Sequence, residues 1–188
     1  MRSGEATREK IKRAALELFV DKGVDGGGMR DIAKASAITE GAIYRHFSSK
    51  DELVWTLFRD NFTNFAATLS VLQAGEVSTA AKIEAMVQGF CQLFDRDETL
   101  FRFLLLVQHG QLSKITDDMA NPIDVVQNVI QTGIDAGEVG HADATEATAW
   151  VFGIVLQTAT FQIYGRLPGP LSPRADALAG ACLDALGL

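Results

Sequence analysis

Three short helical patterns are crowded into Gly28–Glu52, and no other stretch of the chain limits its fold as much. Met29–Ser36 offers Ile32 and Ala33 as the buried pair of a small helix. Ala37-Ile38 makes a turn, and Thr39 is a natural N-cap for a further helix over Glu40–Phe47. Ser49 and Glu52 have capping-box spacing and open a long helix that reaches about Gln73. The segment is too short and too polar to be a domain. It is the right size for a helix-turn-helix that sets one small helix in the major groove of double-stranded DNA.

Helical geometry sorts the residues of Glu40–Phe47. If Ile43 and Phe47, one turn apart, point into a small core, Gly41 and Arg45 point almost directly away, with Ala42 and Tyr44 to either side. Arg45 is the candidate base reader, because its fork matches guanine O6 and N7. Gly41 lets the backbone approach the groove, and Ala42 could touch a thymine methyl. Thr39, Tyr44, His46 and Lys50 are placed to hold phosphates, which fixes register without reading sequence. Lys50 also sits at a helix start, where free N–H groups favour an anion.

The helix before this segment, about Thr7–Lys22, repeats Ile11, Ala14, Ala15, Leu18 and Phe19 along one face, and Gly23 ends it. Residues 7–58 resemble the DNA-binding domain of the tetracycline-repressor (TetR) family of bacterial transcriptional regulators. The matching pieces are Ala15-Leu16-Glu17-Leu18-Phe19, Ile32-Ala33 and Ile43-Tyr44-x-His46-Phe47-x-x-Lys50-x-x-Leu53. The resemblance implies phosphate contacts at Thr39, Tyr44, His46 and Lys50, base reading by the third helix, and release from DNA when a small molecule enters a second domain. Two positions depart from the pattern. Gly28 stands where the family usually has a Thr or Ser cap, and Ala37 where it usually has Gly in the turn, a geometry Gly adopts more easily.

The net charge of −7 argues against a nucleic-acid partner until it is divided. Residues 1–60 hold 11 Lys and Arg against 10 Asp and Glu, whereas residues 61–188 hold 6 against 14. The bases thus collect where phosphates would be met, and the acidic remainder should be repelled by DNA. The amino-terminal stretch has no apolar core of the kind export requires, and the two cysteines form no disulfide framework, so the expected location is cytoplasmic. Ala147–Gly165 carries no charge, but Gln157, Thr158, Thr160 and Gln162 make a buried helix a better reading than a membrane span.

Beyond Gly75 the patterns are helical throughout. Ser78–Asp95 carries Ile83, Met86, Val87, Phe90 and Phe94, and Thr99–Gln108 contains an apolar run. Asn121-Pro122 caps a helix ending near Gly137, Asp143 and Glu146 cap another that runs to about Tyr164, and Ser172-Pro173 starts the last. The expected fold is all-α with nine or so helices: a three-helix DNA-binding domain over residues 1–50, and a helical effector-binding and dimerisation domain over residues 51–188.

Ala149–Leu156 is apolar on every face, so its helix must be covered on two sides. A homodimer built from this helix and the last would bury Val151, Ile154, Val155, Leu178, Ala181, Cys182 and Ala185, with Gly180 allowing close approach. Two-fold symmetry would set two reading helices about 34–36 Å apart over a palindromic operator. The expected effector pocket draws on Phe90, Phe94, Phe103, Val126, Trp150, Gln157 and Phe161, since aromatic walls with a few polar groups suit a ligand. Few cations lie in this region, which favours an apolar effector that is neutral or cationic. The His and Cys positions have no metal-ligand spacing, no cofactor motif appears, and no H-E-x-x-H or helical Glu-x-x-His pair suggests an enzyme. The alternative is a helical scaffold for a partner protein, whose helix-turn-helix is not ligand-switched.

Overall fold

The structure, a computed structural model, describes residues 2–140 and 143–188. Among these residues there are nine α-helices and no strand: α1 (Arg2–Gly26), α2 (Met29–Ala35), α3 (Glu40–Tyr44), α4 (Lys50–Gln73), α5 (Thr79–Arg96), α6 (Glu98–Gln111), α7 (Pro122–Asp135), α8 (Ala144–Ile163) and α9 (Ala175–Leu186). The all-α expectation holds. Single 3-10 turns occupy Leu112–Lys114 and Ser172–Arg174.

The chain divides into two compact units. One comprises residues up to Asn61 with Thr99–Asp117, the other Phe62–Glu98 with Asp118–Leu188. Helix α4 contributes to both. Most of α6, which the sequence pattern set with the C-terminal region, belongs to the first unit.

In the first unit α1 buries Ile11, Ala14, Ala15, Leu16 and Phe19. At Gly23, where the sequence pattern ended the helix, the backbone turns left-handed (φ 74°), a conformation glycine adopts without steric cost, and the helix kinks there and continues to Gly26. Phe103 of α6 stacks on Phe19 with ring centroids 6.2 Å apart. Each such fully buried ring contributes about 1.5–3 kcal/mol.

In the second unit α5 packs on α7 and α9, and α8 packs on α7 and α9. Asn121 and Asp143 cap where the sequence put them, Ser78 proves to be the N-cap of α5, and Ser172-Pro173 opens a 3-10 turn ahead of α9. Ser78 Oγ accepts from Ala81 N (3.2 Å), Asn121 Oδ1 from Ile123 N (2.9 Å), and Asp143 Oδ1 from Thr145 N (2.8 Å) and Glu146 N (3.0 Å). Each cap of this kind stabilises its helix by about 1 kcal/mol. Two further carboxylates act from far away in sequence. Glu138 accepts from Thr79 N (2.7 Å), and that backbone bond holds its carboxyl below the usual range. Asp95 accepts from Leu171 N and Ser172 N (2.8 Å each) and fixes the entry to α9. Gly89 lets α4 and α5 meet closely, because a Cβ there would lie 2.2 Å from Leu72 Cδ1.

Cys91 and Cys182 are buried free thiols. Burial pushes each up to about 11, which leaves them protonated and inert. No helix is long and apolar enough to cross a membrane, and no group of three or more metal-ligating side chains occurs, among the described residues. Glu138 lies past the end of α7, and His141, with which it forms a Glu-x-x-His spacing, lies outside the described residues.

Candidate functional sites

The geometry of α3 follows from its caps and its two buried anchors. Thr39 Oγ1 accepts from Ala42 N (3.2 Å), and Ile43 and Phe47 are fully buried. Gly41, Tyr44 and Arg45 are left exposed, with Tyr44 at 49%. Arg45 follows the last helical residue as the C-cap. Thr39 is exposed and His46 half-buried. Ala42 departs from the expectation. Only 8% of it is accessible, so it offers a thymine methyl little surface. A helix this short buries much of its circumference, and the residue beside Ile43 falls on the covered part.

Lys50 is more constrained than a free phosphate ligand. Its Nζ donates to Val24 O at 3.0 Å, which ties the start of α4 to the chain just past the Gly23 kink. An ammonium carries three protons, so two remain for an outside acceptor. The capping box at this helix is shifted by one residue on one side. Glu52 N donates to Ser49 Oγ (3.1 Å), but the Glu52 carboxylate accepts from Ser48 N and Ser48 Oγ (2.6 Å each). Those bonds from Ser48 lower the Glu52 pKa.

The second unit contains an apolar slot between α4, α5, α7 and α8. Its walls include Phe65, Met86, Phe90, Val126, Phe152 and Leu156. Its enclosed volume is only about 40 Å³. The space is therefore small, below the several hundred Å³ of an open ligand chamber.

Of the seven residues expected to meet a ligand, Phe90 and Val126 line this slot. Phe94 is fully buried behind Phe90, with ring centroids 6.1 Å apart. Phe103 belongs to the first unit, stacked on Phe19. Trp150, Gln157 and Phe161 lie on the opposite, exposed side of α8. They are not part of this wall; Ala149–Leu156 of α8 is apolar on every face, so that run does not tell inside from outside. The wall residues of α4, Phe65 and Leu69, were missed. Their signal was the apolar spacing of a helix already assigned to another role.

The same ambiguity reversed part of the expected dimer surface. Val151, Val155, Leu178 and Cys182 are at most 8% exposed within the single chain, so they have no surface to give a second copy. Ile154 and Ala185 are half-buried and Ala181 is exposed. The outward stripe of α8 runs through Trp150, Gly153, Gln157 and Phe161, and that of α9 through Ala177 and Ala181, with Gly180 half-buried beside them. A Cβ at Gly153 or Gly180 would meet nothing within 4 Å, so close approach at Gly180 is not used inside the chain.

With this geometry in view, residues 11–55 match the pattern of the bacterial regulatory proteins, tetR family. The chain is 22% identical over 156 residues to a fatty acid metabolism regulator protein of Bacillus subtilis (strain 168), covering 80% of each chain. Its fold is similar to that of the fatty acid degradation regulator FadR from Bacillus halodurans, with a TM-score of 0.84, 18% identity and 94% of each chain covered. It is also similar to FadR from Bacillus subtilis solved in complex with stearoyl-CoA, with a TM-score of 0.77, 16% identity, and 94% of this chain and 98% of that one covered.

Proposed function

We propose that this chain, a DNA-binding transcriptional regulator of the tetR family of bacterial regulatory proteins, is a homodimeric repressor released from a palindromic operator by an apolar small molecule. The observation that carries the reading is the presentation of Gly41, Tyr44 and Arg45 on a capped helix whose Ile43 and Phe47 are buried. Residues 1–50 do the reading, with Arg45 on base edges and Thr39, Tyr44, His46 and Lys50 on phosphates. Residues 51–188 bind the effector and dimerise. The work is done in the cytoplasm, where the DNA is.

The apolar slot supports the effector class. Every wall residue is a hydrocarbon or thioether side chain, so the part of the effector it takes carries no charge. Its all-apolar lining suits a hydrocarbon chain, and the relative named as a fatty acid metabolism regulator and the neighbour solved with stearoyl-CoA point the same way. Any charged head must lie outside the slot. Occupation can release DNA only by binding the non-competent state more tightly than the competent one.

Selection of duplexes from a randomised pool, followed by release assays, tests both halves. The selected duplex should be bound at least a thousandfold more tightly than random DNA, and more weakly as salt rises. A long-chain acyl-CoA, the free acid and the alcohol of equal length then separate tail from head. Release by all three assigns recognition to the tail, and release by none removes the slot as the sensor. Affinity flat from low to high salt would leave the scaffold reading.

A further inference from the structure

Helix α3 has five residues, too few to hold itself in place, so contacts from outside set its orientation. Its start is held by the Thr39 cap. At its other end, Arg8 of α1 donates from Nη1 to the His46 carbonyl at 2.9 Å, and its guanidinium carbon lies 4.2 Å from the centre of the Phe47 ring. This cation arrives where a helix's last carbonyls collect negative partial charge. The bonded carbonyl belongs to the residue directly after Arg45.

We propose that Arg8 is a positioning residue for DNA reading: it sets the pitch of α3, and through it the direction in which Arg45 meets the groove. This rests on the reading of α3 as the DNA-contacting helix. Only a planar fork can stack on Phe47 and donate in its own plane at once; a lysine ammonium does one or the other. A bidentate pair of Arg45 with a guanine depends on orientation, whereas contacts of flexible cations with phosphate tolerate small rotations. Loss of Arg8 therefore strips sequence discrimination and spares general DNA affinity. Arg8 is half-buried, with one N–H committed inward; on this proposal it acts through α3 and not by gripping phosphate, which the salt slope tests.

The test compares wild type, Arg8→Gln and Arg8→Lys on a duplex selected by the wild-type protein from a randomised pool, and on poly(dI-dC), across a salt series. Thermal melts refer each affinity to folded protein. Arg8→Gln should bind the selected duplex roughly tenfold to a hundredfold more weakly, the scale of one charge-assisted bond. Its affinity for poly(dI-dC) and both salt slopes should match wild type, and Arg8→Lys should recover part of the loss. A salt slope lowered by about one unit would make Arg8 a phosphate ligand and overturn the proposal. Equal losses on both DNAs would overturn it in favour of a purely structural role, and unchanged discrimination would overturn it outright. A wild-type protein that selects nothing over poly(dI-dC) would sink the DNA reading itself, a result seen before either variant is examined.

Discussion

Ala37 occupies the one strained position of the reading unit, and replacing it by glycine should stabilise the protein. Its φ of 51° lies in the left-handed region, where it is the only non-glycine among the described residues. The surrounding bonds explain why it is held there. Ala37 N donates to Lys34 O (3.2 Å) and Ile38 N to Ala33 O (3.0 Å), the paired bonds that close a helix when the residue after its C-cap turns left-handed. A Cβ in this conformation costs about 1–2 kcal/mol. Glycine gives back about 0.5–1 kcal/mol through the greater freedom of its unfolded chain. Ala37 is exposed, so removing its methyl sacrifices little packing. The balance favours Ala37→Gly by about 0.5–1 kcal/mol, equivalent to a rise of roughly 1–3 °C in Tm for a chain of this size. Thermal melts at equal protein concentration measure it, since self-association makes Tm depend on concentration. Ala37→Val should move Tm the other way by more. An unchanged or lower Tm for Ala37→Gly would refute the strain argument.

Phe161→Glu, on the outward stripe of α8, should convert the proposed dimer to single chains of 20.3 kDa at micromolar concentration, and a dimer persisting in sedimentation velocity would exclude that face. Val126→Trp should fill the slot and abolish release by long-chain compounds while DNA affinity stays within a few fold, at about 1–3 kcal/mol of stability; retained release would place the effector elsewhere. Asp95 gives a pH test. Partial burial opposes its charge, but hydrogen bonds from Ser172 and Leu171 outweigh it and hold the folded pKa below the ordinary 3.8. Its stabilisation is therefore present above the unfolded pKa and lost as pH falls through the folded one. Asp95→Asn should melt lower than wild type near pH 7, and the gap should close below about pH 4. A gap independent of pH would mean the carboxylate charge is not what holds Ser172.

The parts of the fold legible in the sequence were those set by local chemistry. Thr39, Ser78, Asn121 and Asp143 each announce a helix start because a short polar side chain satisfies backbone N–H groups within a few residues. Gly23 announces a break for the same kind of local reason. Of the reading helix, Ile43 and Phe47 were placed correctly by periodicity alone. What escaped depends on residues distant in sequence. Nothing near Glu138 reveals that it caps α5, nothing near Asp95 reveals that it holds Ser172, and nothing near Arg8 reveals the His46 carbonyl. Lys50 was legible as a cation beside the reading helix, but not as one that also grips Val24.

The apolar run Ala149–Leu156 of α8 could not be read face by face in the sequence, and the proposed function gives that composition a use. Its inner face, through Val151, Phe152, Val155 and Leu156, forms a wall of the slot. Its outer stripe, through Trp150 and Phe161, remains exposed in the single chain and is what a second copy would cover. A helix serving either task alone could carry a polar face, and one serving both cannot. The two tasks then share a single rigid element. On the proposed function, an effector that widens the slot would move that wall, and with it the surface offered to a second copy. By linkage, any preference the effector has for one packing of α8 must appear as an equal shift in the stability of the dimer arrangement built on it. The feature that hid the site in the sequence is thus the one that would couple occupation of the slot to the dimer.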